Sequence, residues 1–102
     1  MNYRVKENSW IARIAARKLR SNRAAIVFGE VIHLFNISKE QFLADERLVK
    51  HELCHVKQYR EHGFLPFLFK YLLESLRKGY FNNKYEIEAR AAEEAEKTDG
   101  AA

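Results

Sequence analysis

The chain has 102 residues, room for one small domain and one modest core. Hydrophobic residues make up 47% and charged residues 31%, with seven Phe, five Tyr and one Trp, which excludes disorder over most of the length. The formal charge is +4, and the single cysteine, Cys54, excludes both an internal disulfide and a cysteine-rich zinc site.

Basic residues gather early, in RKLRSNR (Arg17 to Arg23), and acids gather late, in EIEARAAEEAE (Glu86 to Glu96). The basic segment reads first as the solvated face of a helix. Charge is its only link to nucleic acid and no recognition pattern accompanies it, so nucleic acid is not an expected partner. No charged–apolar–cleavage layout opens the chain and no run is long enough to span a bilayer, so the expected compartment is the cytoplasm.

Asn8 or Ser9 can cap a first helix running to about Leu19, with Trp10, Ile11, Ile14, Ala15 and Leu19 as its apolar stripe. AAIVFGEVIHLFNIS then predicts two short strands, about 24–28 and 30–35, meeting near Gly29. In the second strand Val31, His33 and Phe35 face one way, Ile32 and Leu34 the other. His33 reads as an ordinary sheet residue. Ser38 opens a short helical turn through Phe42. Asp45 caps the next helix, which Gly63 ends. Pro66 suits the first turn of a helix over about 66–78, ending at Gly79. Its apolar run FLPFLFKYLL (64–73) reads as a buried core segment; the alternative is peripheral contact with a membrane surface. A last helix starts near Asn82 or Asn83 and runs to about Glu96, and residues 98–102 form a flexible tail. The order gives a single α+β domain over 1–97.

Two of the four histidines fall in KHELCHVKQY, Lys50 to Tyr59. On a helix, residues four apart share a face, so His51 and His55 can offer two imidazole nitrogens to one ion. Glu52 sits about 100° round the axis, placed to act on a metal-bound water without ligating. This is the mechanical sense of H-E-x-x-H: zinc lowers the pKa of its water and the glutamate takes the proton. Helical phase puts Val49, Leu53 and Val56 on one side, as an anchor, and His51, His55 and His62 on the other. Cys54 points away from the histidines and reads as structural.

A catalytic zinc needs a third protein ligand. No fitting cysteine or three-histidine extension follows, and His62 lies too far along the same helix. The remaining donors are carboxylates in NNKYEIEARAAE, 31 positions after His55, which leaves room for one connecting helix and a return. Glu86 and Glu88 are the candidates, and only one can face the ion because they project about 160° apart. Glu86 has a competing role: with Asn83 it nearly spells a capping box.

HELCHV followed by YEIEARA resembles the gluzincins, zinc peptidases in which a glutamate on a later helix completes the H-E-x-x-H site. The small size resembles the minigluzincins, and the extended pattern through residues 25–92 is similar to that of small bacterial proteins carrying both motifs. The resemblance implies a zincin-like fold, zinc held by His51, His55 and Glu86 with Glu88 as fallback, and Glu52 as base. It also implies a strand beside the metal, and the strand at 30–35 is expected to offer that edge to an extended peptide. Arg90 stands where the clan commonly has an aspartate that orients a zinc histidine, and at i, i+4 it can pair with Glu86 instead. Tyr80, Tyr85 and His62 are weaker candidates as oxyanion donors.

The expected function is hydrolysis of a peptide or protein substrate by a small zinc metallopeptidase-like protein, with latency left open. The alternative is a non-catalytic zinc domain that docks a partner through its basic or apolar helix.

Overall fold

The computed structural model describes residues 2–95. The expected tail at 98–102, the domain end at 97 and a helix end at Glu96 lie outside the described residues. The elements are β1 (Arg4–Lys6), α1 (Trp10–Lys18), β2 (Ala24–Phe28), β3 (Val31–Phe35), α2 (Lys39–Ala44), α3 (Glu46–His62), α4 (Phe64–Lys78) and α5 (Lys84–Glu93). The architecture is mixed α+β, as expected, with one strand more than the sequence announces. β1 pairs in parallel with β3, so the sheet order is β1-β3-β2.

That extra strand corrects an expectation. The strand at 31–35 is central, hydrogen-bonded on both sides, and has no free edge; the edges belong to β1 and β2. Gly29, at φ 65°, takes the first central position of the two-residue turn between β2 and β3, where a left-handed residue matches the twist of the strands.

The helices begin where short polar side chains can satisfy free amides. Ser9 Oγ accepts from Ile11 N and Ala12 N; Ser38 and Gln41 close a full capping box on α2; Asp45 Oδ1 accepts from Leu48 N. Gly63 and Gly79, at φ 90° and 84°, end α3 and α4. Pro66 lies in the first turn of α4, where its missing N–H costs nothing.

α1 lies on the sheet through Ala12 and Ala16, not through the expected stripe: Trp10, Ile14 and Leu19 are exposed. Two alanines let the helix approach the strands closely, and the larger side chains are left outside. On this side of the sheet the Ser9 hydroxyl, already accepting from two amides, donates to Nδ1 of buried His33 at 2.8 Å. Burial, and then Lys6, push the His33 imidazole below its ordinary pKa. His33 is thus a sheet residue that ties β3 to the start of α1.

The opposite face carries the main core. Val27, Ile32 and Leu34 pack with Phe42, Val56, Tyr59 and Phe67. Phe67 is the hub of the helical side, its ring edge-on to Tyr59 at 4.7 Å and to Tyr85 at 4.9 Å. α3 therefore sits between the sheet and the α4–α5 pair. The expected single anchor face, Val49, Leu53 and Val56, is incomplete: Val49 and Leu53 are only partly buried, while Glu52, His55, Val56, Gln58 and Tyr59 are buried. A helix enclosed on both sides buries its polar face too.

Candidate metal centre

His51 and His55 lie one turn apart on α3, and Glu86 lies in the first turn of α5, which packs alongside. Asn83 fixes this turn. Its Oδ1 accepts from Tyr85 N at 2.8 Å, and its Nδ2 donates to Tyr71 O and Ser75 Oγ on α4. Since Asn83 alone supplies the side-chain cap, the Glu86 carboxylate is not spent on a capping box. It turns inward, 3.2 Å from His51 Nε2 and 3.3 Å from His55 Nε2.

One donor atom from each of His51, His55 and Glu86 falls within 4.8 Å of the others. Ligand atoms about 2.0–2.1 Å from a tetrahedral zinc are themselves roughly 3.3–3.4 Å apart. The nitrogen–oxygen distances of 3.2 and 3.3 Å fit that spacing closely. Two imidazoles and a carboxylate are also a fitting donor set for the ion.

The outer nitrogens are engaged as well. His51 Nδ1 is 2.6 Å from Glu93 Oε2, and His55 Nδ1 is 2.8 Å from Gln58 Oε1. Gln58 is oriented by its amide nitrogen, which donates to Tyr85 O and Glu88 Oε1. Its oxygen is therefore an acceptor for His55 Nδ1–H. Nδ1 of each ring thus points its proton at an outer acceptor and Nε2 faces Glu86, so loss of the Nε2 proton would leave that nitrogen free to take an ion. Tyr71 closes the set by donating its hydroxyl to Glu86 Oε2.

The charges are coupled accordingly. Burial would raise the Glu86 carboxyl, but hydrogen bonds from His51, His55 and Tyr71 hold it ionised well below the usual carboxylate range. Burial would lower His51, but Glu86, Glu52 and Glu93 hold it protonated up to about 9. His55 is raised in the same way against its burial.

Glu52 differs from all of these. It is 4% exposed, lines the same cleft, and forms no hydrogen bond with any described residue. Burial pushes its carboxyl up to about 7 despite the nearby His55 and His51. The cleft has a volume of about 120 Å³. The end of α1, strand β2, α3, α4 and Tyr80 enclose it. Burial and Glu86 raise the Tyr80 phenol, so its hydroxyl stays protonated.

Of the other sequence candidates, Glu88 is turned to Gln58 and is not part of the His51–His55–Glu86 cluster. Arg90 does not pair with Glu86; it donates to Phe81 O at 2.7 Å and lies 4.0 Å over the Phe81 ring. The carboxylate expected near position 90 is supplied by Glu93, seven residues after Glu86 and so on the same face of α5. His62 stacks on Phe67, and Tyr85 is part of the core. Cys54 is half-buried with its thiol pushed up to about 11 by burial and then Glu88, which makes it inert.

Three residues of the site escaped sequence reasoning. Gln58 and Glu93 carry a faint signal, one turn after His55 and two turns after Glu86. Tyr71 carries none, because only the packing of α4 brings it to Glu86. Comparison with protein families, curated proteins and solved structures returned no match for this chain.

Proposed function

We propose that this chain is a small zinc-dependent metallopeptidase-like protein of zincin-like fold, with His51, His55 and Glu86 as the ligands and Glu52 as the general base. The observation that carries this reading is the buried Glu52 carboxylate, without a protein hydrogen bond, beside two imidazole nitrogens that converge on Glu86. A purely structural site has no need of a base there, whereas a carboxylate that lines the cleft can reach a water in it. The H-E-x-x-H spacing and the gluzincin resemblance support the same assignment.

Zinc held there supplies Lewis acidity and acidifies a water in the cleft. Glu52 accepts one proton of that water as its oxygen attacks the peptide carbonyl carbon. Glu52 then hands the proton to the departing amine nitrogen as the C–N bond breaks. Tyr80, protonated on the cleft wall, offers a hydroxyl to the carbonyl oxygen as it gains charge. β2, the edge strand on the cleft side of the sheet, lines the cleft and can take an extended peptide.

The test is metal content of the purified protein beside single variants. About one zinc per chain, lost in His55→Ala and Glu86→Ala and kept in Glu88→Ala, supports the site; no zinc after reconstitution refutes it. Glu52→Gln should keep zinc and lower hydrolysis of a mixed peptide library about 10²–10⁴-fold. The exposed apolar face of α4 favours a second reading, a non-catalytic zinc domain that docks a partner. Zinc binding without hydrolysis by the wild-type chain would select it.

A further inference from the structure

α4 is apolar on two sides. Phe67 and Tyr71 turn into the core. Leu65, Phe69, Leu72 and Leu76, spaced i, i+4, i+7 and i+11, form a second stripe and are 69%, 68%, 54% and 85% exposed. An apolar stripe of this length on a surface marks a partner site.

The surrounding charge indicates the partner. Lys70 and Arg77 lie along α4 roughly 120° round the axis from the stripe. With Lys84 and His62 they line a shallow groove between α3, α4 and α5. Neither Lys70 nor Arg77 forms an ion pair with a described residue. The acid of the groove, Glu74, is already engaged, accepting from Lys84 N at 3.2 Å and lying 3.9 Å from Lys78 Nζ. α1 repeats the combination, with Trp10 and Ile14 exposed among Arg13, Arg17 and Lys18. A second copy of the chain fits less well, because two such faces brought together would set Lys70 and Arg77 against their own like charges.

We propose that α4 docks this protein on an anionic membrane surface. The stripe enters the headgroup–acyl boundary, and Lys70, Arg77 and Lys84 face anionic headgroups. This docking stands independently of the metal centre. It brings the mouth of the cleft to the bilayer, because Leu72 belongs both to the stripe and to the cleft wall.

Co-sedimentation of the full chain with two vesicle types tests it: phosphatidylcholine alone, and phosphatidylcholine with about 30% phosphatidylglycerol. The protein should pellet with the anionic vesicles, more weakly as salt rises, and little with the neutral ones. Phe69→Ser with Leu76→Ser should weaken binding about tenfold or more. Lys70→Glu with Arg77→Glu should weaken it about tenfold on anionic vesicles. Thermal unfolding checks that the variants fold; where one does not, the lipid and salt dependence of the wild type decides. Equal partitioning to both vesicle types, no binding, or wild-type binding by the Phe69/Leu76 variant overturns the proposal. So does a dimer in sedimentation equilibrium that the same variant dissolves, which would assign the stripe to a second copy.

Discussion

Glu93 and Gln58 each hold one histidine by its outer nitrogen, and that sets what the inner nitrogens can do. A ligand ring whose second nitrogen loses its acceptor can tip and change tautomer. Glu93→Ala and Gln58→Ala should therefore each lower zinc affinity by about 10–100-fold while leaving the three ligands in place. Competition with a chromophoric chelator measures this; unchanged affinity in both variants would remove the two residues from the site. The pH dependence has a definite sign. In the metal-free protein His51 is raised from 6.5 to about 9 and Glu52 from 4.5 to about 7. Raised groups bind more protons folded than unfolded, so their contribution is full at low pH and fades as pH rises through the folded values. Chelated protein should thus lose thermal stability between about pH 6.5 and 9. Zinc affinity should rise over the same range, because the ion takes the place of the Nε2 protons. A chelated protein whose melting temperature climbs from pH 7 to 9 would contradict this.

Among the elements, α5 depends most on a single side chain. Asn83 is wholly buried and bonds both to the first turn of α5 and to two groups of α4. Asn83→Ala removes a helix cap and strands buried partners, and should cost about 2–4 kcal/mol in urea unfolding. It should also weaken zinc binding, because Glu86 lies three residues on. A loss below about 0.5 kcal/mol would mean that α5 is held by packing alone. The helix ends were legible in the sequence because caps are local chemistry: Ser9, Ser38, Asp45, Gly63 and Gly79 act where their side chains and backbone freedom suggest. β1 was not legible. RVK alternates but is only three residues long, too short a run to announce a strand, and it is one because β3 offers a second edge at Val31 to His33. The alanine contact of α1 was hidden for a related reason, since a sequence read by hydrophobicity favours the large side chains over the small ones that allow close approach. That His51, His55 and Glu86 would come together was legible from spacing, whereas Tyr71 could be found only once α4 had been packed beside them.

At the scale of the whole molecule, the proposed metal centre is where α3 and α5 meet, with α4 bonded to it through Tyr71. Zinc should therefore tie the helical layer together, and at a free concentration about 100-fold above Kd it should add about 2.7 kcal/mol of stability. In a domain of this size that is a rise of roughly 10 °C or more in Tm, read by thermal denaturation with and without chelator. A rise of less than a few degrees would separate binding from folding. Small zinc domains commonly unfold without their ion. The histidines of the proposed site lead to a different expectation here. Glu86 raises both His51 and His55, so without a metal their Nε2 atoms are favoured sites for protons, and those protons bring positive charge to that carboxylate. Zinc uptake should then release protons from these rings, one positive charge taking the place of another at the proposed site. Glu86 keeps positive charge beside it in either state, so the metal-free chain should stay folded and able to take up the ion.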